Sequence, residues 1–312
     1  MSNRALRQND VSLEIKKFVT RISSDGDLKI SQVKRFPKIS VVIPSFNQGV
    51  FLERTLLSII NQIYPDVEII IIDGGSTDDT ISIINKYEKY ITYWVSENDH
   101  GQSHALNKGF AKATGDIFAW QNCDDIFFPN AFYHVADQFM KLPGITVCYG
   151  NWYSIDENDD IIARNFSLKP RTPHSPYENM DAYNQTIFWR KEVHDRFGEF
   201  DENLDQKMDC DMIVRFLLNE GPARFFRVSA FLGAFRCYAA QKTFASIDGK
   251  TFFSEEAYME KKFNFKSSNS FYGKYYRLKY RFAQLYESLM AGGICYTWEK
   301  FKKTYRQRGH FF

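Results

Sequence analysis

Acidic side chains occur at three places in this sequence where they could do chemistry. Asp124 and Asp125 are adjacent and follow the apolar run DIFAW, Asp116 to Trp120. Because adjacent carboxylates repel each other, such a pair is usually offset by a cation, and Mg²⁺ or Mn²⁺ prefers hard oxygen ligands while also touching phosphate. A solvated turn, or a helix cap ahead of Pro129, would explain the same two acids without any ligand.

The second acidic cluster is DGGSTDD, which starts at Asp73 where the apolar run VEIIIID ends. Gly74 and Gly75 suit a tight turn or a close approach of the backbone to a ligand. An ordinary helix start is the alternative interpretation, with Ser76 or Thr77 as the cap. Neither the dinucleotide motif GxGxxG nor the phosphate-loop motif GxxxxGK[ST] occurs, which disfavours a Rossmann dehydrogenase or a P-loop ATPase.

The third cluster is MDCD, which contains Asp209 and Asp211 and leads into the apolar helical stretch Met212 to Leu218. Asp209 could cap that helix, and Asp211 has the helical spacing to pair with Arg215. A carboxylate at this place could instead act as a general base. From the residues alone, the cap is the favoured role of Asp209.

The elements that must position these acids repeat as a strand followed by a helix. Continuous apolar strands that alternate with helices predict a parallel sheet covered on both faces. Ligands of such sheets bind beyond the carboxyl ends of the strands. The polar clusters of this chain fall at those ends: Ser45 to Gln48, Asp73 to Asp79, Asn98 to Gln102 and Gln121 to Asp125.

Five motifs follow one another between Ile39 and Thr243: VVIPSFNQ, IIDGGSTDDT, ENDHGQSHALNKGFAKATGDIFAWQNCDD, FGEFDENLDQKMDCDMIVRF and FRCYAAQKT. In this order they resemble the family 2 glycosyltransferases with the GT-A fold, and they cover roughly two thirds of the chain. Several motifs in order are more specific than any one alone. The resemblance implies an α/β fold with a mixed, mostly parallel sheet and helices on both faces. It also implies an inverting, nucleotide-sugar-dependent transferase of hexosyl or N-acetylhexosaminyl type.

The resemblance also implies roles for individual residues. Asp209 would be the catalytic base, and Asp124 with Asp125 would bind the diphosphate through a divalent cation, Mn²⁺ or Mg²⁺. These roles suit the chemistry, because the departing diphosphate needs its charge neutralised and the acceptor hydroxyl must lose a proton on the opposite face of the sugar. The implied nucleotide-sugar-binding residues are Pro44, Ser45, Asn47, Asp73, Asp99, Gln102, Asn107, Asn122 and Asp124.

Three positions depart from the family pattern. Gly74 follows Asp73 where many members carry a second acid, so the nucleotide base stays open, although a UDP-sugar is the favoured donor. Tyr238 stands where many relatives carry a histidine near the metal or diphosphate, and a phenol is a poor ligand for Mg²⁺ or Mn²⁺. His104 stands where an acid is frequent, and we interpret it as a surface or loop-packing residue.

Two other functions compete with glycosyl transfer. A catalytically silent nucleotide-sugar-binding domain would keep the pocket, and the departures at Gly74 and Tyr238 favour it. A sugar-phosphate nucleotidyltransferase shares the layered fold but should carry a glycine-rich, arginine-containing loop after the first strand. The sequence PSFNQ at that place is unlike such a loop.

The charge distribution divides the chain into an N-terminal extension (1–36), a GT-A domain (37–253) and a basic, aromatic helical region (254–312). From residue 261 onward there are 12 Lys and Arg but only two acids. Basic amphipathic helices with aromatic flanks bind anionic membrane surfaces, so residues 261–312 predict a peripheral membrane contact. Alternatively the aromatic residues dock on the catalytic domain and the lysines are solvated. Nothing in the chain indicates a nucleic-acid partner.

Cysteine usage and hydropathy predict the compartment. The five cysteines are odd in number and form no CxxC pair, which argues against a disulfide framework and a zinc site and favours a reducing cytosol. No apolar run approaches 18 residues, and the amino end lacks a signal-peptide pattern. We therefore expect a cytoplasmic protein, and the basic region adds a peripheral position on the inner face of the membrane. The family resemblance implies an enzyme that acts on a saccharide or lipid-linked saccharide in surface polysaccharide or glycoconjugate synthesis.

Overall fold

The computed structural model describes residues 8–20, 22, 36–170, 184–242, 250–266 and 270–275, with short runs up to 290. The described strands are β1 (Ile39–Ser45), β2 (Val67–Asp73), β3 (Tyr93–Ser96), β4 (Ile117–Trp120), β5 (Ile126–Phe127), β6 (Val147–Ile155), β7 (Ile161–Asn165), β8 (Ile187–Arg190) and β9 (Phe225–Arg236). The helices are α1 (Gln8–Phe18), α2 (Gly49–Ile60), α3 (Thr80–Tyr87), α4 (Gln102–Phe110), α5 (Ala131–Lys141), α6 (Lys191–Phe197), α7 (Met208–Glu220) and α8 (Lys250–Lys262).

The described strands form one mixed sheet in the order β3-β2-β1-β4-β8-β6-β9-β5, with β7 paired to β6. Strands β3, β2, β1 and β4 are parallel, whereas β8 is antiparallel to both β4 and β6. The mixed α/β class predicted from the sequence is confirmed. The parallel strands are those of the strand–helix repeat, so the polar loops that follow them share one edge of the sheet.

Both faces of the sheet are buried, which explains why its central strands are mostly apolar and why every residue of β1 is buried. Val41 and Ile43 of β1 contact a core that includes residues of α2, α3 and α5. Val42, between them, faces a second core that includes residues of α4 and α7. The side chains alternate because successive residues of a strand point to opposite faces.

The two ends of the chain also pack on this domain. Helix α1 buries Val11 and Ile15 in a third core with residues of β5, β6, β7 and β9. Helix α8 crosses the predicted boundary at residue 253, and its Met259 is fully buried in the core shared with α4 and α7. Residues 171–183, and residues 291–312 of the basic region, lie outside the described residues. No described helix has the length and apolarity needed to span a bilayer.

Helix α4 packs closely on β1 through Gly109. A Cβ at Gly109 would overlap the side chain of Val42 and lie 3.3 Å from Cγ1 of Ile72. We therefore expect Gly109→Ala to lower the free energy of unfolding by about 1–3 kcal/mol, the usual cost of overpacking a core. Gly144→Ala is the control, because a Cβ there meets nothing within 4 Å. Urea unfolding of both variants would show equal stabilities if α4 does not pack as described.

Candidate active site

The loops after β1, β2 and β4 meet at the carboxyl edge of the sheet. Ser45 lies opposite Asp73 in the parallel register of β1 and β2, and the N–H of Gly74 donates to the Ser45 carbonyl at 2.8 Å. Pro44 is buried, and its carbonyl accepts the Cys123 thiol at 3.2 Å. The loop after β4 is thereby joined to the end of β1.

Asn47 joins the loop after β1 to the loop after β2. Its N–H donates to the Ser76 hydroxyl at 2.7 Å, and its Oδ1 accepts the N–H of Thr77 at 2.9 Å. Asn47 has a φ of 50°, a left-handed conformation that asparagine tolerates better than most residues. Its side-chain oxygen is therefore engaged by the protein itself.

Asp73 anchors the loop that follows it. The carboxylate is fully buried and accepts the N–H groups of Gly75 at 3.1 Å and Ser76 at 2.8 Å. It also accepts the hydroxyls of Ser76 at 2.5 Å and Ser96 at 2.6 Å. Both oxygens are engaged within the protein, so the described structure shows Asp73 holding the shape of this loop.

The loop between β2 and α3 is not a simple helix start. Helix α3 begins at Thr80, so the capping role considered for Ser76 and Thr77 was wrong. Instead Oδ1 of Asp78 accepts the Thr80 N–H at 3.0 Å, and its Oδ2 accepts the N–H of Gly49 at 2.9 Å. Asp78 thus joins the starts of α2 and α3.

Asp99 occupies the space beside Gly74. A Cβ built on Gly74 would lie 3.0 Å from Oδ2 of Asp99, whose Oδ1 accepts the Gly101 N–H at 2.8 Å. A second acid at position 74 would meet this carboxylate directly and repel it. Position 74 thus carries no acid of its own, but the neighbouring loop brings the carboxylate of Asp99 beside it.

Gln102 and Asn107, both on α4, face different partners. Gln102 Nε2 donates to Oδ1 of Asn122 at 2.8 Å, in the loop after β4. Asn107 accepts the Phe200 N–H at 2.7 Å and donates to the Phe200 carbonyl at 3.0 Å. Gln102 and Asn122 therefore lie together beside the acidic pair, whereas Asn107 holds the segment that leads to α7.

The acidic pair lies in a buried loop, which excludes the solvated turn considered above. Asp125 is fully buried, and its Oδ1 accepts the N–H of Arg236 at 2.8 Å. Burial and the charge of Asp124 raise the pKa of Asp125 well above its usual value. Burial likewise raises the pKa of Asp124. The helix-cap alternative also fails, because α5 begins at Ala131, beyond the pair.

Arg236 is the buried cation beside this pair. Its side chain is fully buried, and its Nε donates to the Asp124 carbonyl at 2.7 Å. Its guanidinium also donates to the Asp156 carbonyl at 2.8 Å and to Asp159 at 2.6 Å, in the turn between β6 and β7. Arg236 therefore joins the acidic loop to that turn while supplying positive charge.

Tyr238 contacts Asp124 directly. Its hydroxyl donates to Oδ2 of Asp124 at 2.9 Å, and Nε2 of Gln48 donates to the same hydroxyl at 3.2 Å. Burial, followed by the charge of Asp124, raises the pKa of Tyr238. The phenol therefore stays protonated near neutral pH and serves as a hydrogen-bond donor to Asp124.

The residues of the acidic loop are compatible with a divalent cation, for which Asp124 would be the protein ligand. No group of three or more His, Cys, Asp or Glu side chains in the described part of the chain forms a metal site. Mg²⁺, however, keeps several waters and needs only one or two protein carboxylates when phosphate supplies other ligands. Two adjacent buried acids with raised pKa values make a site that a cation would stabilise. Asp125 already binds the backbone, so Asp124 is the better-placed ligand.

Asp209 lies in the first turn of α7. Lys207 is the residue that precedes the helix, so Asp209 is not its N-terminal cap. The Asp209 side chain is half-buried, its Oδ1 accepts the Cys210 N–H at 2.7 Å, and burial raises its pKa. A raised pKa brings a carboxylate closer to the range in which a general base works best. Asp211 pairs with Arg215 at 2.7 Å, as its spacing predicted.

The first turn of α4 lies between the acidic loop and the start of α7. Gln102 binds Asn122, as described above. The next residue, Ser103, donates its hydroxyl to the Leu204 carbonyl at 3.0 Å and contacts the Met208 sulfur at 3.1 Å. The acidic loop that holds Asp124 and the start of the helix that holds Asp209 therefore contact adjacent residues of one turn of α4.

Sequence reasoning missed two residues that shape this site. Arg236 was part of a quoted motif but received no role, although a charged residue at the end of a long apolar strand is unusual enough to examine. Gln48 was noted only as part of a polar cluster. Its contact with Tyr238 joins positions 190 residues apart, a separation that one sequence does not reveal.

The mixed sheet, with its acidic loop at the carboxyl edge, defines the GT-A class of α/β fold. Residues 40–198, about half of the chain, match the profile of Glycosyl transferase family 2. The chain belongs to this family.

Curated relatives agree with this assignment. An uncharacterized glycosyltransferase of Rickettsia prowazekii (strain Madrid E) is 29% identical over 224 residues, covering 66% of each chain. Chondroitin synthase of Escherichia coli is 26% identical over 199 residues, which are 62% of this chain and 28% of that protein. A second rickettsial relative, from Rickettsia typhi, is matched over 59% of its length. The chain thus spans less than two thirds of these relatives.

Solved structures share the fold at low identity. Staphylococcus aureus TarS 1–349 in complex with UDP-GlcNAc is 18% identical with a TM-score of 0.52, covering 67% of this chain and 61% of that one. Mannosyltransferase PcManGT from Pyrobaculum calidifontis, in complex with GDP-Man and Mn²⁺, is 15% identical with a TM-score of 0.53. That match covers 95% of this chain and 87% of PcManGT.

Two substitutions of Asp125 should differ in their effect on stability. In Asp125→Asn a side-chain oxygen can still accept the Arg236 N–H while the repulsion with Asp124 disappears, so we expect stability within about 1 kcal/mol of wild type. Asp125→Ala leaves the N–H unpaired and should lose about 1–3 kcal/mol. Urea unfolding in EDTA measures both. Equal losses in the two variants would show that Asp125 does not hold the backbone as described.

Proposed function

We propose that the protein transfers a sugar from a nucleoside-diphosphate sugar to a saccharide or lipid-linked saccharide acceptor, with inversion at the anomeric carbon. The donor is a UDP-sugar, and the sugar is a hexose or an N-acetylhexosamine. The observation that carries the proposal is the position of Asp209. Its half-buried carboxylate, with a raised pKa, is next to Met208, which contacts the helix turn that also holds the acidic loop.

The reaction assigns each group a task. Asp209 takes the proton of the acceptor hydroxyl as the acceptor oxygen forms its bond to the anomeric carbon. The bond from that carbon to the diphosphate oxygen breaks on the opposite face of the sugar, and its electron pair leaves with the diphosphate. Attack and departure on opposite faces give inversion.

Asp124 is proposed to hold a divalent cation, Mn²⁺ or Mg²⁺. Asp125 holds the same loop in place by accepting the backbone N–H of Arg236. A bound cation neutralises the charge that develops on the departing diphosphate. Two complexes support a nucleotide-sugar donor, because TarS binds UDP-GlcNAc and PcManGT was solved with GDP-Man and Mn²⁺. The nucleotide-binding roles proposed for Asn47 and Asp73 are roles of the loops they hold, since their oxygens already bind the protein.

A catalytically silent nucleotide-sugar-binding domain is the second candidate. The bond from Tyr238 to Asp124 favours it, because it engages one oxygen of the proposed metal ligand. Such a domain would bind a nucleotide without turnover.

Release of nucleoside diphosphate from UDP-glucose, UDP-N-acetylglucosamine and GDP-mannose, with Mn²⁺, Mg²⁺ or EDTA, tests the proposal. We expect turnover of a donor only with metal. Asp209→Asn should lower the rate by roughly 100- to 10,000-fold, the usual contribution of a general base, while UDP or GDP still raises the melting temperature. Asp124→Asn should weaken the dependence on Mn²⁺.

Asp137→Asn serves as the control, because the partly exposed Asp137 pairs with Lys141 and Gln138 on α5 and is not part of the acidic loop. This variant should keep the wild-type rate. Nucleotide binding without turnover of any donor would establish the silent domain instead. Full activity in Asp209→Asn would refute the assigned base.

We further propose that residues 261–312 hold the enzyme on the anionic inner face of a membrane. Aromatic and apolar side chains are exposed in the described part of this region: Phe271, Tyr272, Tyr275, Phe282, Tyr286 and Met290. Phe263 and Phe265, by contrast, pack against the core, so docking on the domain accounts for the start of the region. The region has 12 basic and two acidic residues, and this positive charge favours binding to anionic lipid. This position would place the site near a lipid-linked acceptor.

Vesicle sedimentation tests this contact. The wild-type protein should sediment with vesicles of phosphatidylglycerol and phosphatidylcholine, and much less with phosphatidylcholine alone, because the attraction is electrostatic. Phe271→Ser with Phe282→Ser should weaken binding several-fold. Leu218→Ser is the matched control, since Leu218 is 44% exposed on α7, outside the basic region. Equal binding to both vesicle types would argue against the contact.

A further inference from the structure

The start of α7 is held by a carboxylate from another helix. Glu255 of α8 is buried, and its two oxygens accept backbone N–H groups from three consecutive residues. The donors are Asp205 at 2.9 Å, Gln206 at 3.0 Å and Lys207 at 2.9 Å. These residues directly precede Met208, the first residue of α7.

The residue directly before α7 does not cap the helix with its own side chain. Lys207, which occupies the N-cap position, makes no capping hydrogen bond with its side chain. The amino end of a helix carries unpaired N–H groups and a partial positive charge, both of which a carboxylate stabilises. Glu255 therefore holds the three N–H groups directly before the helix, whereas the N–H of Cys210, the third helical residue, is accepted by Asp209.

This arrangement fixes the backbone next to the proposed base. Asp209 is two residues beyond Lys207, and its carboxylate accepts the Cys210 N–H within the same turn. Lys207 is buried, and its ammonium lies in the fields of both Asp209 and Glu255. A shift of the turn by about 1 Å would move the base from its acceptor and can cost about 100-fold in rate.

We infer that Glu255 is a positioning residue for Asp209, acting through the three N–H groups that it binds. The inference rests on the proposed function, because it needs Asp209 to act on an acceptor. Glu255 acts through the backbone of residues 205–207, so its loss should change catalysis without changing the binding of nucleotide.

The test compares Glu255→Gln with Tyr258→Phe in the full chain. Glutamine keeps the size of the side chain but presents an N–H group to backbone donors, so it cannot pair with all three. Tyr258 is on the same helix, and its hydroxyl donates to Asp201 at 2.7 Å, so its loss removes a contact of α8 that does not touch residues 205–207. The probe is release of nucleoside diphosphate from the panel of donors, with Mn²⁺ present.

We expect Glu255→Gln to lower kcat by about 10- to 100-fold while KM for the donor changes less than about twofold. UDP or GDP should stabilise this variant as much as wild type. Hydrogen exchange should be faster at residues 205–207 in Glu255→Gln and unchanged there in Tyr258→Phe. Tyr258→Phe should keep the wild-type kcat.

Two results would overturn the inference, and they differ from a failure of the proposed function. A wild-type kcat in Glu255→Gln, with Asp209→Asn inactive, would remove Glu255 alone. Parallel losses of kcat, nucleotide binding and melting temperature would show a general structural role. A wild-type protein that turns over no donor would overturn the function, and the inference with it.

Discussion

Two adjacent carboxylates are buried at the carboxyl edge of the sheet, and the surrounding contacts make that burial tolerable. Burial of a charge is costly unless it is paired and hydrogen-bonded. Arg236 brings a buried guanidinium, its N–H binds Asp125, and the Thr55 hydroxyl donates to the carbonyls of Cys123 and Asp125 at 2.7 Å. Arg236 in turn needs Asp159, which is 4% exposed and has a φ of 67°. Through Arg236, the turn between β6 and β7 therefore stabilises the acidic loop, which is distant from it in sequence.

The proposed site is assembled from distant parts of the chain, and the contacts between these parts determine where the proposed base lies. The acidic loop follows β4, its cation comes from the end of β9, and the proposed base is on α7, whose start is held by α8. Helix α4 touches both sides through Gln102 and Ser103. A glycine at position 109 lets this helix lie close to β1, so the turn that holds the two sides together is fixed to the centre of the sheet.

The sequence was sufficient for features that depend on neighbouring residues. Apolar runs predicted the parallel strands. Because ligands bind beyond the carboxyl ends of such strands, the sequence also predicted which polar loops form the site. It could not distinguish Asp124 from Asp125, because the difference arises from Arg236, 111 residues away. The sequence shows a glycine at position 74 where many relatives carry an acid. The structure adds that Oδ2 of Asp99, from the next loop, lies 3.0 Å from the position that a Cβ on Gly74 would occupy. Glu255 could not be found at all, because its partners are backbone groups and its helix follows the recognised motifs.

Tyr238 has a consequence for how the proposed cation would be held. A protonated phenol donates a hydrogen bond and offers no anionic oxygen, so Asp124 is left with one oxygen that does not bind Tyr238. A cation held by so few protein atoms must take most of its ligands from diphosphate and water. Its affinity for the protein alone is then low and rises when the donor binds, because each supplies ligands or charge to the other. Under the proposed function, the cation and the nucleotide sugar would therefore bind interdependently, because Tyr238 occupies one oxygen of Asp124.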